Sequence, residues 1–84
     1  MEAALSLARY FVFETNGKWM VTLDGATVGR HDSLPSALSS AIVMADLMGS
    51  MRHDADVMLE DPEGLAIAWT YGIDPVPQLG GKAA

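Results

Sequence analysis

Ser33–Met51 reads SLPSALSSAIVMADLMGSM, and this stretch decides the fold. No other segment is long and periodic enough to require a helix. Ser33 is placed to cap it, because its hydroxyl oxygen can accept a hydrogen bond from an N–H that the first turn leaves without a partner. Asp32 sits favourably at the positive end of the helix dipole. Pro35 suits the first turn, where its missing N–H has nothing to bond. At about 100° per residue, Leu34, Ala37, Leu38, Ala41, Met44, Ala45 and Met48 fall on one broad face. The alanines on that face let the helix lie close to a sheet. The far side holds Ser36, Ser40, Val43, Leu47 and Ser50, with Ile42 and Met51 at its margins. A solvated helix back normally carries Glu, Lys and Arg, whereas here Asp46 is the one charge before Arg52. Gly49 either breaks or caps the helix, which predicts an end between Gly49 and Arg52.

Toward the N-terminus the pattern changes to strands. Arg9–Glu14 (RYFVFE) and Lys18–Leu23 (KWMVTL) are rich in aromatic and β-branched residues. Between them stands Asn16-Gly17, the pair that most readily adopts a type I′ hairpin turn. With those as the turn residues, Thr15 faces Lys18, Val12 faces Val21 and Tyr10 faces Leu23. Tyr10, Val12, Trp19, Val21 and Leu23 then share the core side, and Phe11, Phe13, Met20 and Thr22 share the other. Asp24-Gly25 marks a further turn. Ala26–His31 reads as a short link with room for a brief strand at Thr27–Arg30.

Toward the C-terminus, VMLE at Val57–Glu60 predicts a third strand. Asp61-Pro62-Glu63-Gly64 has the composition of a type I turn. In Leu65–Tyr71, strict alternation puts Leu65, Ile67, Trp69 and Tyr71 on one face, with Ala66, Ala68 and Thr70 on the other. The expected fold is α+β: ββαββ, a single antiparallel sheet with one helix packed on one face. Residues 9–75 form the domain, 1–8 a loose lead-in, and 76–84 a disordered tail.

Composition narrows the function. The chain has 84 residues, no cysteine and a formal charge of −6, and its five Lys and Arg are scattered singly. Clustered cations are what nucleic acids and anionic membranes recognise, so neither is an expected partner. No apolar run approaches the roughly 20 residues that span a bilayer, and the N-terminus lacks the basic region of a signal peptide. A cytoplasmic location is expected, and the absence of cysteine fits a reducing compartment.

One resemblance covers roughly residues 9–75. Gly17, Trp19 and Val21, then Ser33, Ala37, Leu38, Ala41 and Ala45, then Gly64, and finally Tyr71-Gly72-Ile73-Asp74-Pro75 carry it. Together these resemble a family of small bacterial domains of unknown function with a ββαββ pattern and a Tyr-Gly-x-Asp-Pro close. The family tends to have Asn where Ile73 stands, and a charged helix back where Ser40, Val43 and Leu47 stand. The resemblance implies a ββαββ fold and a bacterial cytoplasmic setting, and it assigns no particular activity.

Candidate sites are few. His31 and His53 flank a helix about 25 Å long and cannot share a ligand within one chain. A transition metal would need more nitrogen or sulfur ligands than are present. The acids Asp54, Asp56, Glu60, Asp61 and Glu63 lack the spacing of a calcium hand and read as a solvated edge and turn. No nucleophile elbow, phosphate loop or Cys/His pair occurs, so neither catalysis nor a cofactor is expected. What remains is surplus apolar surface. One helix covers one face of a sheet, which leaves Phe11, Phe13 and Met20 on the other, while Ser40, Val43, Leu47 and Met51 line the helix back. Such patches mark protein contacts, and a homodimer is the expected assembly. The helix back is the first choice of interface and the outer sheet face the second. An alternative is a nucleic-acid accessory role for the aromatic outer face.

Overall fold

The computed structural model describes residues 7–51 and 54–76. Most of the expected lead-in and tail, and His53, lie outside them. Leu7 and Ala8 already belong to the first strand, β1 (Leu7–Thr15). Asn16 and Gly17, with φ of 53° and 79°, fold it back into β2 (Lys18–Leu23). Positive φ at both central residues is the type I′ geometry whose twist matches the flanking strands. Thr15 faces Lys18, Val12 faces Val21 and Tyr10 faces Leu23, the register the turn dictates. Asp24 and Gly25, at 53° and 84°, repeat the same chemistry and lead into β3 (Ala26–His31). This strand is six residues long, a full element rather than a brief link.

After α1 (Leu34–Ser50) come β4 (Asp54–Asp61) and β5 (Gly64–Thr70). The five-stranded sheet has the order β3-β2-β1-β4-β5. The fold is α+β, but the order is not ββαββ and the sheet is not purely antiparallel. Both corrections follow from β3. With two strands before the helix, a strand entering beside β1 after it would run against β1. The third strand turns the chain round once more, so α1 sets out from the other end and β4 runs with β1. The β1–β4 pair is accordingly parallel, and the remaining pairs are antiparallel.

Ser33, in extended conformation, caps α1 by accepting the Ser36 N–H at 3.3 Å. The helix buries Ala37, Ala41, Ile42, Ala45 and Gly49, with Leu34, Leu38, Met44 and Met48 partly covered beside them. Ile42, expected at the margin of the far side, is therefore a core residue. Against it the sheet presents Ala8, Tyr10, Val12, Val21, Ala55, Val57 and Trp69. Val12, Val21 and Val57 are fully enclosed. Burial, with a smaller contribution from Asp24, pushes the Tyr10 hydroxyl above its ordinary pKa.

β5 departs from simple alternation. Val57 faces Trp69 but Met58 faces Ile67, so Ala68 is bulged out of the ladder. The extra residue shifts the period. Trp69 points to the helix side, while Ile67 and Leu65 share the outer side with their partners Met58 and Glu60. The expectation that Leu65, Ile67 and Trp69 share a face is overturned.

A clasp closes the chain. Tyr71 N–H bonds the Ala55 carbonyl at 3.0 Å, and Gly72 turns the backbone at φ 85°. The Asp74 carboxylate accepts the Thr70 N–H at 2.9 Å, and the Pro75 carbonyl accepts the Trp69 indole N–H at 2.9 Å. The Tyr71 ring packs edge-on to Trp69 and directly over Gly49. A Cβ at Gly49 would meet ring carbons at 2.2–2.6 Å, so the glycine is a seat for the ring rather than a helix breaker.

Candidate functional site

Covering one face of the sheet with α1 leaves the other face bare, and cross-strand pairing arranges that face in rows. One row runs Thr27, Thr22, Phe11, Met58 and Ile67 across all five strands. A second runs Arg30, Met20 and Phe13, and Leu65 stands on the same face beside Glu60. Phe11, Phe13 and Met20 are half-buried by their neighbours and Met58 is buried. At the β5 margin the cover stops: Leu65 is 52 % exposed and Ile67 59 %. Ala66 and Ala68 are exposed as well, so β5 is open along its length up to Trp69.

The same face carries an ion pair near one end. Arg9 grips Asp56 with its Nε at 2.9 Å from Oδ1 and its Nη2 at 2.8 Å from Oδ2. The hydrogen bond first, and then the carboxylate's charge, raise the Arg9 pKa. Asp56 is buried, so the fork supplies its carboxylate with partners in place of water. Of the acids expected to form a solvated edge, Asp54, Glu60, Asp61 and Glu63 are exposed and Asp56 is not. Asp61 is used locally, accepting the Glu63 N–H at 2.9 Å in the β4–β5 turn. Among the described residues no group of three or more Asp, Glu or His converges on a point where a metal could sit.

The helix back forms a narrower patch. Val43, Leu47 and Met51 stand in line four residues apart, 47 %, 58 % and 51 % exposed. Ser40, at the head of that line, is half-buried. Asp46 and the exposed Ser36 and Ser50 lie among them, which keeps the apolar strip one side chain wide.

At the opposite end of the helix, His31 Nδ1 lies 2.8 Å from Ser36 Oγ, a contact the sequence reading does not foresee. The residues sit five apart, across the strand–helix junction, where neither periodicity applies. A histidine beside a hydroxyl is half of an activated nucleophile. The missing half is a group that orients the ring: among the described residues no carboxylate bonds it, and Asp32 is paired with Lys18. That ammonium, through its hydrogen bond first and its charge second, holds the Asp32 carboxyl below its ordinary value. Lys18, Arg30, His31, Asp32 and Ser36 line an open hollow of about 520 Å³. A smaller one of about 360 Å³ lies between Phe13, Trp19 and the acids Glu14, Glu60 and Asp61.

Among the basic residues described, Arg9 and Lys18 are engaged by carboxylates, while the exposed Arg30 stands in the same outer row as Met20 and Phe13. Among the described residues no helix is long and apolar enough to cross a membrane. No family model, no curated protein and no solved structure matches the chain.

Proposed function

We propose that this protein is a small interaction module, without catalysis of its own, that self-associates through the outer face of its sheet at the β4–β5 margin. One observation carries the reading. The row through Phe11 and Met58 does not end at a charged guard residue but at Ile67, and Leu65 stands next along the strand on the same face, both more than half exposed. Natural sheets usually blunt such a margin with Lys or Pro, and β5 has neither. Exposed apolar area that a lone domain does not need is the common mark of a protein contact. A reducing bacterial cytoplasm is the setting we propose with it, from the absence of cysteine and the Tyr71–Pro75 resemblance.

The helix back is the competing surface, and the two separate cleanly. Sedimentation of the wild type across micromolar to millimolar concentration is expected to show a dimer. Ile67→Glu is expected to give a folded monomer, and Leu47→Glu to leave the dimer intact. The opposite pair of results would move the interface to Val43, Leu47 and Met51. A wild type that stays monomeric throughout would end the self-association reading.

A further inference from the structure

The edge of β5 fits one occupant better than others. We infer that a second copy of the chain pairs with β5 edge to edge, antiparallel about Ala66, joining the two five-stranded sheets into one. This rests on the self-association proposed above and specifies its geometry.

Backbone hydrogen bonding sets the register. Asp61 and Gly64 flank the two-residue turn and so form a hydrogen-bonded pair. Pairs alternate from there, which aims the N–H and C=O of Leu65 and Ile67 away from β4 and toward solvent. Beyond them the edge is closed. The Thr70 N–H is taken by Asp74, and its carbonyl by the N–H groups of Ile73 and Asp74. The open stretch therefore offers two outward residues, with Ala66 midway between them. A twofold axis at Ala66 sets Leu65 of each copy opposite Ile67 of the other and satisfies all of these groups.

Side chains and charge agree with that register. Leu65 and Ile67 lie on one face, so the pairing covers the two most exposed apolar side chains of the strand with each other and joins the outer faces of both sheets. The acids Glu60, Asp61 and Glu63 stand at the turn end of the strand. Antiparallel pairing sends the two acidic turns to opposite ends of the joint, each toward Thr70 and its Asp74 cap in the other copy. Parallel pairing would stack the acids on one another.

The opposite edge is unsuited. β3 carries Arg30, and α1 packs over it, whereas β5 carries no charge. Pairing of β5 with β3 of another copy would also fail to close, giving open filaments rather than a dimer.

Because the chain has no cysteine, a single introduced thiol reports proximity without background. At Ala66 the two strands would meet in a non-hydrogen-bonded pair, with Cα atoms about 4.5 Å apart, inside the range a disulfide bridges. Mild oxidation of Ala66→Cys is expected to convert most of the protein to a covalent dimer, while Leu47→Cys stays largely monomeric on a denaturing gel. Thr22→Glu, in the middle of the outer face, is expected to remain dimeric by sedimentation, since edge pairing leaves that position uncovered. A wild-type dimer in which Ala66→Cys does not cross-link, or which Thr22→Glu dissociates, would overturn edge pairing and leave self-association standing. A wild-type monomer would overturn both.

Discussion

β1–β2–β3 and β4–β5 form the two halves of one sheet, yet they are held in place by different means. The first half is a meander whose turns set its register locally. Asn16-Gly17 and Asp24-Gly25 supply left-handed backbone where each hairpin needs it; every β1–β2 partner follows from that count, and so do the β2–β3 partners nearest the turn, before a bulge at Val28 shifts the rest by one. In the second half, a turn at Pro62-Glu63 begins the hairpin, but a bulge at Ala68 breaks the count before Trp69 is reached. Trp69 is held there by the Pro75 carbonyl on its indole N–H and by the neighbouring Tyr71 ring, which is seated on the distant Gly49 of the helix. One half is specified by neighbours in sequence, the other by a contact between residues far apart along the chain. The half that relies on the distant contact is also the half left open at its edge.

The sharpest way to break this comparison is at Gly49. A Cβ there would overlap ring carbons of Tyr71, so Gly49→Ala is expected to destabilise the fold by about 1–3 kcal/mol. In an ordinary helix interior the same change gains about 1 kcal/mol. A double-mutant cycle with Tyr71→Ala isolates the difference. In the Tyr71→Ala background, Gly49→Ala is expected to become neutral or stabilising in urea melts. A cost that persists without the ring would mean that the clasp does not explain the glycine.

The two halves differ in the same way in how far the sequence discloses them. The N-cap at Ser33 and the pairing of Tyr10, Val12 and Thr15 follow from short-range rules, because a cap or a type I′ turn is decided within a few residues. The full length of β3 is missed because ATVGRH lacks the alternation that marks a half-buried strand, and with it the parallel β1–β4 pair is missed. The bulge leaves no local sign either. LAIAWTY alternates large and small without a break, and only the demand of the core for Trp69 shifts the period. Of the candidate surface, Phe11, Phe13 and Met20 are legible as an outer face from one hairpin. Met58, Leu65 and Ile67, which extend that face to its open margin, become visible only when β4 is set beside β1.

If local turn chemistry governs the first half, its turns should respond to single changes with no partner elsewhere. Gly17 has φ 79° and nothing near its Cβ position, so Gly17→Ala adds strain without a clash. The expected loss is about 1–2 kcal/mol, the cost of a left-handed conformation for a residue with a Cβ. Gly25→Ala, at φ 84° with equally open surroundings, is expected to cost the same. Thermal melts of the two variants should coincide. A large difference between them would show that one turn is held by more than its own backbone.

The smallest effect is electrostatic and also belongs to the first half, where Lys18 of β2 reaches Asp32 at the start of the helix. The ammonium holds the Asp32 carboxyl below its ordinary value of 3.8. A depressed carboxyl binds its proton less readily folded than unfolded. Its contribution to stability is therefore present above pH 3.8 and is lost as pH falls through the lowered folded value. Asp32 and Lys18 are both largely exposed, with side chains 86 % and 55 % accessible, so salt screens the pair and the stability effect is slight. The proton itself is the better reporter. An NMR titration of the Asp32 carboxyl is expected to show a midpoint below 3.8 that moves back up in Lys18→Gln and in high salt. A midpoint unmoved by removing Lys18 would make the helix dipole, rather than the strand, the cause of the shift.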